Sequence, residues 1–216
     1  AGGVICPRLV GKQGEGHISR EAGDEQAAAK TREQVEPDQD AQQHSDKGCR
    51  IFFSREFPGS VPEYFEVEVE MAGKVFYRED PQDEPLEFDL TEKDLSQLSE
   101  YVETLDYFRL PLTHPRKVAF TGEKTFRYID AEGKSSETRF NHTENRDAKV
   151  LTSWFLKVAE TVRYRIVLGR SVRFDRLGVN KCLLQLQASL DKDRIISPKQ
   201  MLPILTRISE DKKIIR

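Results

Sequence analysis

The stretch Phe57-Pro58-Gly59-Ser60-Val61-Pro62-Glu63-Tyr64-Phe65-Glu66-Val67-Glu68-Val69-Glu70-Met71-Ala72-Gly73-Lys74-Val75-Phe76-Tyr77 decides the fold. Phe65, Val67, Val69 and Met71 alternate with Glu66, Glu68 and Glu70, the period of a strand with one face on a core and the other in water. Ala72-Gly73-Lys74 reads as the turn, with Gly73 free to adopt positive φ, and Val75–Tyr77 returns as the partner strand. Pro58-Gly59 and Pro62 enforce a bend before the hairpin. A hairpin with one apolar face needs a cover, so the flanking sequence is expected to supply more strands and helices.

Upstream, Ile51-Phe52-Phe53 reads as an edge strand or a lead-in. Downstream, Leu86, Phe88 and Leu90 alternate with Glu87 and Asp89 as a third short strand of this half. Thr91-Glu92-Lys93-Asp94 then has a hydroxyl N-cap and an acidic residue three positions on, opening a helix whose apolar face is Leu95, Leu98, Val102 and Leu105. Tyr107, Phe108 and Leu110 should dock the end of that helix before Pro111. A second hairpin is expected from Val118 to His142, turning at Asp130–Lys134, followed by a long helix capped by Asp147 with Leu151, Trp154, Phe155, Val158, Val162 and Ile166 facing inward. Gly178 marks the expected end of that helix. Val179–Leu190 forms another amphipathic segment, and Ser197-Pro198-Lys199-Gln200 starts a last helix with a kink or late start at Pro203.

The fold class is therefore α+β: an antiparallel sheet of two hairpins covered by two helices, in the order hairpin, helix, hairpin, helix, with a C-terminal helical extension. Residues 1–49 are rich in Gly, Gln, Ala and Glu without apolar periodicity and read as a mostly disordered segment. The α+β domain is placed at 50–168 and the helical extension at 169–216. Val67, Val69, Leu98, Val102, Trp154, Phe155 and Val158 are expected to be buried together.

Composition limits the functional classes. The chain has 216 residues, 33% charged and 37% hydrophobic, enough for one or two small domains. No run of about 18 apolar residues is present, so no helical membrane span is expected. Residue 1 is Ala, which is read as a processed or fragment end. Cys6, Cys49 and Cys182, an odd number at wide spacing, are read as unpaired thiols with neither a disulfide framework nor a zinc site. Residues 50–149 carry 14 Lys and Arg against 22 Asp and Glu, whereas residues 150–216 carry 14 against 6. The preferred reading is that the basic helices lie beside the acidic sheet and compensate it; the alternative is a basic surface for nucleic acid or acidic lipid.

Catalytic and cofactor motifs are not found. Gly2-Gly3 and Gly11–Gly16 have no strand before them or helix after, and no Walker-type lysine follows. His17, His44, His114 and His142 are scattered singly, so no metal and no cofactor is expected. Asn141-His142-Thr143 is formally an N-glycosylation acceptor. The Glu66, Glu68, Glu70 row is expected to be solvated or neutralised by Lys74 and Arg78 or by the basic helices. If an enzymatic site exists, Glu123, Tyr128, Arg139 and His142 around the second hairpin are its first candidates. Arg163, Arg165, Arg170, Arg173 and Arg176 divide between opposite sides of a helix, with local ion pairs such as Arg173 or Arg176 to Asp175, so no specific nucleic-acid binding is expected.

Gly59, Pro62 and Tyr64, followed by a strand, a Gly turn and Lys74–Tyr77, resemble the opening of an uncharacterised domain of short bacterial secreted proteins and lipoproteins. The resemblance spans residues 50–165 and implies the hairpin, capped helix, hairpin, helix order and a location outside the cytoplasm, periplasmic or secreted. It brings no catalytic residues. Phe57 and Val61 stand where that family has two cysteines, so apolar contact is expected to replace a local disulfide. The C-terminal Ser171–Val179 segment is similar to the tails of proteins from soil bacteria. Residues and resemblance together point to a non-enzymatic binding or interaction module, exported, whose partner is another protein. An enzyme with a site not written as a motif, or nucleic-acid binding through the C-terminal helices, are the alternatives.

Overall fold

The computed structural model describes residues 48–114 and 118–211. The polar segment at 1–47, with Cys6, His17 and His44, lies outside the described residues. Six strands, β1 (Arg50–Glu56), β2 (Tyr64–Glu70), β3 (Lys74–Arg78), β4 (Leu86–Asp89), β5 (Glu123–Ile129) and β6 (Ser135–Phe140), form one antiparallel sheet in the order β4-β3-β2-β1-β5-β6. Four helices, α1 (Glu92–Thr104), α2 (Arg146–Phe174), α3 (Gly178–Asp191) and α4 (Leu202–Glu210), complete an α+β fold.

Alternation in β2 works as expected: Phe65, Val67 and Val69 are buried and the glutamates between them lie on the opposite face. The register carries this across the sheet, pairing Phe53 with Val67 on one side and with Phe126 on the other. α1 and α2 cover the apolar face. Val67, Val69, Leu98, Val102, Trp154, Phe155 and Val158 belong to one buried cluster, centred on the Phe53–Phe155 stack at 4.7 Å. At the entrance to α1, Thr91 accepts the Asp94 N–H at 3.2 Å, which satisfies one of the helix's orphan donors.

Several sequence expectations are corrected. β1 is an interior strand hydrogen-bonded to both β2 and β5, so Ile51-Phe52-Phe53 is neither edge nor lead-in. The true edges are shielded: Arg165 donates to the Glu87 carbonyl (3.0 Å) and Gln200 to that of Asp89 (2.5 Å) on β4, while Leu112 N–H and the Thr113 hydroxyl bond to Thr138 and Arg139 on β6. Asn145, not Asp147, caps α2, because its side-chain oxygen accepts the Ala148 N–H at 3.0 Å; Asp147 sits within the first turn, where its charge complements the helix dipole. α2 passes through Gly169, where an added Cβ would stand 3.6 Å from Cδ1 of Ile204, and ends at Phe174. Gly178 opens α3 instead of closing α2, its N–H accepted by the Asp175 carboxylate at 3.0 Å. Leu110 is exposed, leaving Tyr107 and Phe108 to dock the end of α1. Order begins before residue 50, since Cys49 is fully buried and its carbonyl accepts the Met71 N–H at 3.0 Å.

Cys49 is disulfide-bonded, so the reading of three unpaired thiols fails there, while Cys182 is free and buried. Wide spacing was a poor guide because the entropy of closing a loop grows only with the logarithm of its length. Phe57 and Val61 do not replace a bridge by packing on each other. Phe57 meets the Phe120 ring at 6.0 Å, whereas Val61 is 79% exposed.

α2 is longer than the sheet is wide, and its last turns leave the main core. There Leu168 and Val172 meet Val179, Cys182 and Leu186 of α3 and Ile208 of α4 in a second, smaller cluster. α4 starts late, as Pro203 requires, after a 3₁₀ turn at Pro198–Met201. Ser197 stands at the N-cap position of that turn, as expected, but its side chain makes no capping bond. It is buried in a left-handed conformation (φ 45°) and its hydroxyl donates to Asp94 at 2.5 Å, joining the second cluster to the start of α1.

Candidate functional site

The four residues singled out around the second hairpin do not form a constellation. Tyr128 points into the core against Tyr107 (5.0 Å between rings), with its hydroxyl buried and without a hydrogen-bond partner. Burial, helped by the nearby Tyr107, Asp130 and Glu132 and opposed by Arg109, pushes that hydroxyl up to about 12. Arg139 is fully exposed on the other face, bonded to Glu137 at 2.7 Å; that bond holds its guanidinium above its ordinary range, with a smaller contribution from Glu123. His142 lies beyond the end of β6, edge-on to His114 at 5.7 Å. His114 in turn contacts Glu144 at 2.8 Å. Asn141 is spent on structure: its side chain bonds to Ala119 and Thr121, and Thr143 is buried.

The glutamate row is half-buried, and two of its three members are paired with arginines. Glu68 pairs with Arg50 at 3.1 Å and Glu66 with Arg78, as expected for Arg78, but Lys74 reaches Glu87 on β4 instead. Burial raises the Glu68 carboxyl, opposed by Arg50. Phe52 lies between two guanidinium groups, Arg50 at 5.6 Å and Arg127 at 5.0 Å. This face is a closed lattice of cation–π and ion-pair contacts.

The basic helices lie beside part of the acidic half of the chain, as expected, with Arg163 and Arg170 sharing a hollow with Glu79, Asp83 and Glu84, but among the described residues they close no ion pair with it. Their ion pairs close among themselves, Lys157 to Asp193 (2.6 Å) and Arg194 to Glu160 (3.0 Å). Among the described residues Arg163, Arg165, Arg170, Arg173 and Arg176 form no ion pair; Asp175 is occupied by the Gly178 N–H.

Part of this unneutralised charge lines a cleft of about 560 Å³ between α2, α3 and the Phe57–Pro62 bend. Its apolar surface comes from Val61, Pro62, Phe65, Leu156 and Val167, and its charges from Arg55, Arg163, Lys192, Arg194 and Glu160. Glu160 is committed, accepting from Arg194 and from the Ser189 hydroxyl at 3.0 Å, and Tyr164 completes that cluster at 2.9 Å from Ser189. Arg55 has the Phe57 ring at 5.3 Å and no carboxylate partner among the described residues; burial lowers its guanidinium from the ordinary range. A second hollow of about 340 Å³ adjoins the first, sharing Val61, Arg163 and Val167 and continuing to Arg170, with Glu79, Asp83 and Glu84 on its opposite side. The geometry explains the continuity. Leu156, Arg163, Val167, Arg170 and Phe174 fall within about 60° of one another on α2 at 100° per residue, a single stripe alternating apolar and cationic along about 27 Å.

Sequence reasoning missed this cleft because Arg55, Arg163 and Lys192 come from three distant segments. The signal available was the seven-residue spacing of Arg163 and Arg170, which did place both on one side. Among the described residues no group of His, Cys, Asp and Glu is arranged to hold a metal ion, and no helix is long and apolar enough to cross a membrane. No protein-family model and no curated protein sequence matches the chain.

Proposed function

We propose that this chain is a non-enzymatic binding module that seats an anionic group with an apolar body in the cleft between α2, α3 and the Phe57–Pro62 bend. The observation that carries the reading is the pairing of an apolar wall with Arg55 and Arg163, which have no carboxylate partner among the described residues. A volume of about 560 Å³ falls in the range of small-ligand sites, where most of the ligand surface meets apolar atoms and a few polar groups fix orientation. Arg163 presents a planar fork of donors suited to a carboxylate, sulfonate or phosphate, and Val61, Leu156 and Val167 receive the body. The polar groups deeper in the cleft, Glu160, Ser189 and Tyr164, bond to one another and to Arg194, which suits a fixed wall more than proton transfer.

The resemblance to bacterial secreted domains supports a location outside the cytoplasm, and so does the disulfide at Cys49, since such bonds persist in oxidising compartments. The partner is then a protein or a small molecule that offers an acidic, partly apolar group.

A fluorescent aromatic sulfonate, 8-anilinonaphthalene-1-sulfonate, tests the cleft directly. Saturable one-site binding to the native chain is expected, weakened about tenfold in Arg163→Ala, one lost charge-assisted contact being worth about 1.5 kcal/mol. Absence of saturable binding, or binding unchanged in Arg163→Ala, refutes the reading.

A further inference from the structure

We propose that the corner joining α2 to α3 is a docking surface for an anionic lipid bilayer. Two large apolar side chains stand at this corner almost free of protein contact, Phe174 at 84% and Leu177 at 94% exposure. Folding provides no reason for either, since the second cluster is filled by Leu168, Val172, Val179 and their neighbours without them. Arg170, Arg173, Arg176 and Lys181 are also exposed around the corner. The single carboxylate among them, Asp175, accepts the Gly178 N–H and holds the turn.

The pattern extends onto both helices. On α3 the residues Leu177, Lys181 and Leu184 share one side at 100° per residue, and Leu184 is 67% exposed. On α2, Arg170 and Phe174 share one side of their own helix. The corner therefore offers apolar points flanked by cations, the arrangement by which peripheral proteins insert ring and aliphatic groups between headgroups while Lys and Arg meet anionic lipid. Charge complementarity selects the occupant. A duplex nucleic acid would use the cations but leave Leu177 and Leu184 against a phosphate backbone, whereas a bilayer satisfies both kinds of group. A face of four cations around one carboxylate is likewise poorly matched to a second copy of itself. This surface lies at the far end of the α2 stripe from Leu156 and does not depend on the cleft being a ligand site.

The test is flotation of the full chain with vesicles of phosphatidylcholine alone and of an equimolar mixture with phosphatidylglycerol. Binding is expected to the anionic vesicles only and should weaken as salt rises from about 0.1 M to about 1 M. Arg173→Gln and Arg176→Gln should each reduce it about fivefold. Phe174→Ser with Leu177→Ser should reduce it by about tenfold or more. Because all four side chains are exposed, the variants should keep the unfolding midpoint of the parent. Leu177→Trp supplies a second readout, a blue-shifted emission on mixing with anionic vesicles. No flotation, flotation indifferent to the Phe174 and Leu177 replacements, no emission shift, or tighter binding to duplex DNA than to anionic vesicles would each overturn the proposal.

Discussion

Phe52 and Phe53 are adjacent on β1 and identical in chemistry, yet the structure assigns them opposite fates, so truncating each in turn measures the sheet register directly. Phe53 is fully buried with ring neighbours at 4.7 Å (Phe155), 5.3 Å (Phe126) and 5.8 Å (Phe65). Its removal leaves a cavity at the point where both hairpins and α2 converge, and buried Phe→Ala changes cost about 3–5 kcal/mol. Phe52 is half-buried on the charged face, where two cation–π contacts of about 0.5–1 kcal/mol each hold it and no helix covers it. Phe52→Ala should therefore cost about 1–2 kcal/mol. At about 2–4 °C per kcal/mol for a chain of this size, the midpoints should fall by about 6–20 °C and about 2–8 °C. Urea unfolding followed by Trp154 emission suits the measurement, because Trp154 is the sole tryptophan and is buried against Phe155 at 5.1 Å. Far-UV circular dichroism controls for baseline changes at that probe. Equal losses, or a larger loss for Phe52→Ala, would mean that β1 is slipped by one residue, which would exchange its two faces.

Tyr128→Phe should be within about 0.5 kcal/mol of the parent at neutral pH, since it deletes a buried hydroxyl that has no partner. The Tyr128 hydroxyl is raised from 10.0 to about 12, so its contribution is complete below pH 10 and is lost as pH rises towards 12; alkaline melts of Tyr128→Phe should fall off less steeply than those of the parent. Gly122→Ala should destabilise by at least about 1 kcal/mol, seen as a lower urea midpoint, because φ is 94° and the new Cβ would stand 2.9 Å from Cβ of Phe57. Ser197→Ala should cost about 1–2 kcal/mol by leaving Asp94 and the Thr91 N–H short of a partner, and hydrogen exchange should show the loss at the start of α1 as well as in α4.

What was legible in the sequence was whatever a short window contains. The β2 alternation, the Gly73 turn (φ 99°), the Thr91 cap and the inward face of α2 each depend on residues within a few positions of one another, and each is found as read. Position in the sheet is not local. Ile51-Phe52-Phe53 reads as a continuous apolar run, and only the facing strands reveal that Phe52 is held by cations on the open side. The left-handed turn at Asp106, Tyr107 and Phe108 (φ 47°, 52° and 63°) was invisible because none of the three is glycine. Left-handed backbone costs such residues about 1–2 kcal/mol each, and the offset is tertiary: Phe108 stacks on Phe126 at 5.0 Å and the Ser136 hydroxyl bonds to the Tyr107 carbonyl. The candidate cleft was unreadable for the same reason, its cations being brought together only by folding.

Charge asymmetry was legible in amount but not in consequence. Two oppositely charged regions of one chain suggest mutual neutralisation, yet a row of carboxylates on a strand is most cheaply neutralised by cations on the neighbouring strands, whose side chains stand about 5 Å away on the same face. Arg50 and Arg78 occupy those positions, beside Glu68 and Glu66. The long α2 lays Arg163 and Arg170 beside a hollow shared with Glu79, Asp83 and Glu84 without closing an ion pair among the described residues, and it carries Leu156, Val167 and Phe174 on the same side. A stripe of that composition is unfavourable as a plain solvated surface and unsuited to a core. It fits an occupant that brings negative charge and apolar area together, which is the shared requirement of the cleft at one end of α2 and the corner at the other.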